Sequence, residues 1–528
     1  LDARPNADPI SPAADASVAS KREVELKLSL APEALETLLA SELIVQHARN
    51  RGVTRRLDAI YYDTQERLLQ RNGLSLRVRR SGKRHVQTLK RVLPGEVLAR
   101  AEWEAPLPDD QLDLSLLPLA EIGEPLLGMP PERLAPVFAT RIRRRLRRLD
   151  YADAQIEIAF DGGVIEAGQT SLAVSEIELE LKAGQAGALY DLGLAMLEIA
   201  PLTVETRSKA DRGYALAFAR EPKAERARPV ALGAEDNADA AIAAILGSCH
   251  AQLLGNLGPV AAGAGPEAIH QMRVSLRRLR SALSMLRREI ASPALGPLGK
   301  EAKRLGHRLG PARNWDVFAV ETLPAAIDDG LADTGIPVLA EAAEPLRARS
   351  HAAVADWLAQ PRAARFLMSL GALIEHRAWR SDLASETMAV LAEPAGAFAQ
   401  RVLARSHRKV LKRGRGFGGL GPEQRHELRL SLKTLRYLAE FVLPLFEGPP
   451  ARRYLARLSR LQDALGAAND AATTRQLIGE LRGREEARPE LHFAAGAILG
   501  WQRCREIEAG RKLRKRWKRF AATAPFWS

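Results

Sequence analysis

Glu23, Glu25 and Lys27 occupy every second position of one short stretch, a spacing that puts all three side chains on one face of a β-strand. The same alternation recurs at Arg77 and Arg79, at Arg100, Glu102 and Glu104, and at Glu176, Glu178, Glu180 and Lys182. Between and around them lie Val24, Leu26, Val78, Ile177, Leu179 and Leu181. The apolar face must seek a core, so the charged face meets either solvent or the inside of a barrel. A single charged row ordinarily solvates a sheet. Four rows, with the acids gathered in Glu-x-Glu pairs, predict a closed sheet whose polar lumen brings the rows within reach of one another. Carboxylates at such spacing suit hard cations such as Mg²⁺ or Mn²⁺, and the arginines and lysines suit phosphate oxygens.

A second constellation lies far downstream. His270, Arg273, Arg277 and Arg280 stand at offsets that fall within one narrow arc of a helix. His426, Arg429, Lys433 and Arg436 repeat those offsets. Leu309-Gly310-Pro311-Ala312-Arg313-Asn314-Trp315-Asp316 follows the first stripe, and Leu465-Gly466-Ala467-Ala468-Asn469-Asp470 follows the second. The order predicts two related helical units packed together. Like charges stacked on one helix face repel. A solvated face tolerates that, but its recurrence points to a surface for a polyanion. Lys303, His307 and Arg308, and the basic stretch Arg405 to Arg415 with His407, extend the candidate surface.

The elements that must carry these residues differ between the two halves. From Lys21 to about Arg220 the period is two, with helical stretches near Pro32 to Leu43 and Ala186 to Ile199, which predicts a mainly antiparallel sheet or barrel. Glu221 to Asp239 is polar and reads as a linker. Beyond it Met272, Leu276, Leu279, Leu283 and Leu286 form a helical stripe, and the rest reads as all-α, with loops at Pro293 to Pro297, Gly414 to Pro422 and Gly448 to Pro450. The expected division is a disordered lead-in at 1–20, a tunnel domain at 21–220, a linker at 221–235 and a helical domain at 236–528.

Charge follows that division. Of 78 basic and 64 acidic residues, 30 and 32 fall in 1–220, leaving 48 and 32 in the remainder. A near-neutral half joined to a strongly basic one implies a polyanionic partner. Aromatic residues are scarce among the basic clusters, which disfavours single-stranded nucleic acid. The two cysteines, Cys249 and Cys504, exclude a disulfide framework and a Cys-rich zinc site, and fit a reducing cytoplasm. No run of about 18 apolar residues predicts a membrane span. Residues 1–20 lack the apolar core of a signal peptide.

The first half resembles the CYTH superfamily, the triphosphate tunnel metalloenzymes. Glu23-Val-Glu25-Leu-Lys27 resembles its ExExK signature. In order there follow Tyr61-Tyr62-Asp63-Thr64, Leu76-Arg77-Val78-Arg79, Thr88-Leu89-Lys90, the Arg100, Glu102, Glu104 row, Asp161, the Glu176 to Glu180 run, Ser208-Lys209 and Arg212-Gly213-Tyr214. The resemblance implies a tunnel in which Lys27, Arg77, Arg79, Lys90, Arg100 and Lys209 clamp phosphates. Glu23, Glu25, Glu176 and Glu178 would hold the metal, supported by Glu102, Glu104, Asp161 and Glu180. The family also places an arginine in the strand spanning Arg141 to Arg148. Motif alignment favours Arg144, and a slip of one residue would change that choice.

The second half resembles the CHAD domain, the conserved histidine α-helical domain, through its two His-x2-Arg-x3-[Arg/Lys]-x2-Arg stripes, the Leu-Gly followers and a basic end with Trp517, Phe526 and Trp527. That resemblance implies binding of inorganic polyphosphate and association with polyphosphate granules. Together the two imply a metal-dependent inorganic triphosphatase with a polyphosphate-binding domain. The competing expectations are hydrolysis of an organic triphosphate (thiamine or nucleoside), adenylate cyclisation, and a scaffold without catalysis. Nothing in the sequence fixes the oligomeric state.

Overall fold

The computed structural model describes residues 21–93, 98–123, 125–219, 222–446, 448–484 and 488–527, with only the backbone described at 21, 22, 467–469 and 511. The expected lead-in, 1–20, lies outside the described residues. The N-terminal half is a closed antiparallel barrel. Its strands are β1 (Lys21–Ser29), β2 (Val53–Asp63), β3 (Leu74–Ser81), β4 (Arg84–Val92), β5 (Ala99–Leu107), β6 (Ala135–Tyr151), β7 (Ala154–Ala167) and β8 (Thr170–Ala183), with a two-residue β9 (Thr203–Val204). Neighbours run β5-β4-β3-β2-β6-β7-β8-β1, and β1 closes the ring onto β5. β1 manages this by splitting one edge: Lys21 to Val24 pair with β5, while Leu28 and Ser29 pair with β9. Closure leaves no exposed edge at the seam and forces alternate side chains inward.

The outward residues of β1, β7 and β8 are apolar and fully buried, among them Leu28, Ile158, Ile177 and Leu179. They pack under helices α1 (Pro32–Leu39), α2 (Glu42–His47) and α3 (Gly187–Leu197). The first predicted helical stretch is two helices, because Ser41 caps α2 by accepting from Ile44 N. A fourth helix, α4 (Lys209–Ala217), stoppers one end of the barrel. Ser208 caps it in a reciprocal capping box with Asp211.

The second half is all-α. Its principal helices are α5 (Ala238–Gly255), α6 (Gly265–Glu289), α7 (Leu295–Asp316), α8 (Ile336–Leu358), α9 (Pro361–Glu375), α10 (Ala395–Arg413), α11 (Pro422–Val442), α12 (Pro449–Arg484) and α13 (Pro489–Ala521). Met272, Leu276, Leu279, Leu283 and Leu286 are buried in its core. The expected loop at Pro293 to Pro297 is shorter, since α7 begins at Leu295 and accommodates Pro297 in its first turn, where a missing N–H costs nothing.

Ala238–Ala261 departs from the expected lack of a membrane-length apolar stretch. Among the described residues it is long and apolar enough to cross a membrane, with mean hydropathy 1.3. More than half of that window (56%) is buried, and α5 packs on α6, α9 and α10. Its apolar composition is therefore satisfied inside the helical core.

The two halves meet along α3 and α9. Gly371 lets them approach, because a Cβ there would lie 2.3 Å from the Tyr190 ring. His376 and Asp191 lie 2.7 Å apart at the rim of this contact, and Ala364 and Met368 of α9 join the barrel's outer core.

Candidate functional site: a charged tunnel and a cationic cavity

The barrel encloses a cavity of about 560 Å³. Of the residues singled out by alternation or by the family resemblance, Glu23, Glu25, Lys27, Arg77, Arg79, Lys90, Arg100, Glu102, Glu104, Arg144, Glu178, Glu180 and Lys209 line it. Asp161 and Glu176 lie just beyond the lining, fully buried at the stoppered end. The charges are segregated by strand. β2, β3, β4 and β6 contribute only cations: Arg55, Arg77, Arg79, Arg84, Lys90 and Arg144. Among the described residues all the lining carboxylates come from β1, β5, β7 and β8, strands that also contribute Lys27, Arg100 and Lys182. The tunnel therefore has a basic wall facing an acidic one.

Pairs form between the walls and within the acidic one. Lys90 donates to Glu23 at 2.5 Å and lies 3.2 Å from Glu102. Lys27 pairs with Glu25, and lies 3.7 Å from Glu178. Arg79 reaches Glu104 at 3.0 Å, and Thr88 also donates to Glu104. Burial alone would raise the Glu25 carboxyl, but Lys27 beside it pulls it down to about 2. Glu23 moves the other way, because burial outweighs the attraction of Lys90. On the basic wall Arg77 lies so close that it, with burial, draws Arg79 down to about 10. Arg77 donates to the Tyr61 hydroxyl at 3.2 Å, yet its Nε is buried with no partner. A wall of crowded, partly unsatisfied guanidiniums is preorganised for anionic oxygens.

Among Arg141 to Arg148, register selects Arg144. It faces Asp161 across the β6–β7 ladder, and its guanidinium donates to Asp161 (2.7 Å from Nε) and to Glu178. Arg141 instead pairs outside with Glu166, and Arg145 with Glu36.

The stopper supplies the last cation. Lys209 Nζ donates to Asp161 at 2.6 Å, to Glu178 at 3.0 Å and to Glu176. Arg212 covers the other Glu176 oxygen. Its role was not legible from alternation, because it sits on a helix, four residues after the site helix's cap. Gly213 is required there: a Cβ would fall 2.2 Å from the Phe138 ring. Phe138 stacks on Tyr61 and meets Tyr214 edge-on, and the Tyr214 hydroxyl donates to Asp63. Asp63 also accepts three backbone N–H groups, from Thr64, Leu69 and Gln70. Within the Tyr-Tyr-Asp-Thr segment, Asp63 therefore anchors the stopper, while Tyr61 lines the lumen beside Arg77.

Asp161, Glu176 and Glu178 offer oxygens within 4.8 Å of one another and could coordinate a divalent cation. The donor set fits such an ion, and the Lys209 ammonium, bonded to all three, holds the position a cation would take. Glu178 alone of the three also lines the lumen.

In the helical half the two stripes converge. His270, Arg273 and Arg277 of α6 and Arg429 and Lys433 of α11 line one cavity of about 220 Å³, with Arg313 from the end of α7. Glu321 and Asp470 line it too, and Arg313 reaches Glu321 at 2.6 Å. Nitrogens of Arg273, Arg277 and Arg429 are buried without partners. Burial, then Arg429 and Arg277, push Lys433 down to about 7; burial, then Arg277 and Arg313, push Arg273 down to about 10. Such depressed cations mark a site short of negative charge.

The other predicted members lie elsewhere. Arg280 and His426 are exposed and outside the cavity, and Arg436 turns to Glu440 at 3.4 Å. His307 and Arg308 line a separate surface depression beside Trp357, and Lys303 is exposed. His407 lies 2.7 Å from the Tyr454 hydroxyl, among the rings of Tyr454, Phe520 and Trp527. The counterpart of Arg313 in the second repeat, Ala468, lies outside the residues whose side chains are described.

A charged tunnel closed by a helix and followed by a repeated helical bundle defines a class with two modules. Residues 21–214 match the CYTH domain and residues 244–479 the CHAD domain, so the chain is a CYTH domain joined to a CHAD domain. It is similar to an inorganic triphosphatase of Haemophilus influenzae, 30% identical over 203 residues, which is 37% of this chain and 55% of that protein. The chain thus spans about half the length of that relative. Among solved structures, the CHAD domain of the plant Ricinus communis is 30% identical, covering 56% of this chain and 96% of that one, with a TM-score of 0.49. PptA from Streptomyces chartreusis is 17% identical, covering 54% and 100%, with a TM-score of 0.38.

Proposed function

We propose that the chain is a metal-dependent inorganic triphosphatase, converting tripolyphosphate and water to pyrophosphate and phosphate, and that its helical domain binds inorganic polyphosphate. The observation that carries this is the segregation of the lumen into a basic and an acidic wall. An extended triphosphate presents oxygens along its whole length. Arg77, Arg79, Lys90 and Arg144 would hold them on one side, with Lys27 and Arg100 reaching in from the acidic strands and Lys209 from the stopper. Glu23, Glu25, Glu176 and Glu178 would hold Mg²⁺ or Mn²⁺, with Glu102, Glu104, Asp161 and Glu180 in support. When bound, such an ion neutralises phosphate oxygens and lowers the pKa of a water. The residues themselves position the chain and exclude bulk water.

An inorganic substrate is favoured over a nucleotide because, among the described residues lining the tunnel, Tyr61 is the sole aromatic one, and its hydroxyl is taken by Arg77. Among the described lining residues none offers a free stacking platform for a base. In the helical domain the convergence of both stripes on one cavity, with unpartnered guanidinium nitrogens, supports a phosphate chain as ligand. On this reading residues 21–220 form the tunnel domain, 221–235 connect it, and 236–528 bind the polymer, within a cytoplasm containing polyphosphate granules.

The test is phosphate release from tripolyphosphate, ATP and thiamine triphosphate by the purified chain, with Mg²⁺ or Mn²⁺. Tripolyphosphate should be the fastest. Rapid turnover of ATP with none of tripolyphosphate would overturn the assignment, as would no metal-dependent release from any of the three.

A further inference from the structure

Helix α10 carries Arg405, Lys409 and Arg413 at successive four-residue steps, stacked on one face. That face closes a cavity of about 180 Å³ against the last turns of α6 and the middle of α11. α6 contributes Arg288 and Ser284 to it, and α10 adds Ser406. Four cations from two helices thus share one small space with hydroxyl groups. The carboxylate there, Glu289, is already engaged by Arg405 at 2.5 Å and Arg401 at 3.4 Å. Arg413 is taken up by Glu427 and by the Ser431 hydroxyl. Among the described residues Arg288 and Lys409 make no hydrogen bond or ion pair. Burial, then Arg288 and Arg413, pull Lys409 below the ordinary lysine range.

This cavity is not part of the one lined by His270 and Lys433. At 100° per residue, Arg429 and Lys433 lie within roughly 40° of each other on α11, while Thr434 and Leu438, which line the new cavity, lie roughly 140° to 180° from Arg429. On α6, Arg288 is 11 residues beyond Arg277, or about 16 Å along the axis. α11 therefore separates two cationic sites.

We propose that the cavity of Arg288, Arg405, Lys409 and Arg413 is a second, independent anion site of the helical domain, sized for a free orthophosphate or pyrophosphate. Cations stacked at four-residue spacing repel, and a multiply charged oxyanion removes that repulsion while Ser284 and Ser406 donate to its remaining oxygens. The inference does not depend on what the tunnel hydrolyses.

Site-resolved lysine acetylation of the full chain, read by peptide mass spectrometry, tests it without interference from the other phosphate sites. Pyrophosphate or orthophosphate should slow labelling of Lys409 several-fold, saturably. Arg288→Gln should raise the half-protecting concentration at Lys409 about tenfold, as expected for one lost charge-assisted contact, and leave protection at Lys433 unchanged. Ser406→Val, which alters no charge, should shift the same protection in the same direction and guards against a fold defect in the first variant. Unchanged Lys409 labelling at saturating pyrophosphate would overturn the proposal. So would protection by long-chain polyphosphate alone, which would make the cavity a stretch of one continuous chain-binding surface.

Discussion

Lys209 Nζ lies 2.6 Å from Asp161, reaching from the first turn of a helix to the middle of a β-strand 48 residues earlier. The same ammonium is bonded to Glu176 and Glu178. Asp161 and Glu176 are fully buried and Glu178 borders the lumen, and this cation, with Arg144 and Arg212, offsets their charge. Removing one partner of a buried ion cluster leaves uncompensated charge, at a cost of about 3–5 kcal/mol.

Lys209→Met should therefore lower the thermal stability of the metal-free protein. It should also free the three oxygens for a divalent cation. Calorimetric melts with and without Mn²⁺ would show a larger Mn²⁺-induced rise in Tm for the variant than for the parent chain. An equal rise in both would mean that the ion binds elsewhere on the acidic wall, at Glu23, Glu25 or Glu102.

Gly213→Ala should loosen the stopper. Its Cβ would sit against the Phe138 ring, whose position is fixed by stacking on Tyr61. Overpacking of this kind costs about 1–3 kcal/mol. The expected outcome is a lower Tm together with slower tripolyphosphate hydrolysis, since Lys209 and Arg212 ride on the displaced helix. Phe138→Leu in the same chain should restore part of both.

How the sequence discloses these sites differs by element. In the barrel, parity is decisive: an alternating strand has two faces, and Glu23, Glu25, Arg77, Glu102 and Glu178 fall on the charged one without reference to anything distant. Parity fails within Arg141 to Arg148, where both faces carry arginine. Only the β6–β7 pairing of Arg144 with Asp161 decides between them. Parity is also silent about Arg212, whose partner Glu176 is 36 residues away. In the helical half, a stripe at helical spacing marks a face but not what covers it. His270, Arg273 and Arg277 meet Arg429 and Lys433, whereas Arg280 and His426, on the same stripes, meet solvent.

Polyphosphate binding by the helical domain should weaken as pH rises from 6 to 9. Lys433 has its pKa pulled to about 7 in the free cavity, so above that pH the bound state must take up a proton that the free state lacks. Folding shows the opposite sign. The depressed lysine is charged in the unfolded chain until its ordinary pKa of about 10.4, so the unfolded state binds more protons between 7 and 10.4 and ligand-free stability rises across that window. Titrations with long-chain polyphosphate should show the fall in affinity, and Lys433→Arg should flatten it. A flat profile in the parent chain would remove Lys433 from the site.

His407 and Arg277 separate packing from binding within one basic domain. The His407 ring contacts Tyr454, Phe520 and Trp527, and its Nδ1 is satisfied by the Tyr454 hydroxyl. His407→Ala opens a cavity in that cluster and strands a buried hydroxyl, so a destabilisation of about 2–4 kcal/mol is expected. Arg277 lines the cationic cavity with its Nε unpartnered, and Arg277→Ala removes charge repulsion from the free protein, so its stability should hold or rise. The loss there should appear in long-chain polyphosphate affinity, about tenfold for one charge-assisted contact. Chemical denaturation and a polyphosphate titration on the same two variants give opposite patterns if the assignment is right. Weaker polyphosphate binding in a still-folded His407→Ala protein would instead place the ligand against the C-terminal aromatic cluster.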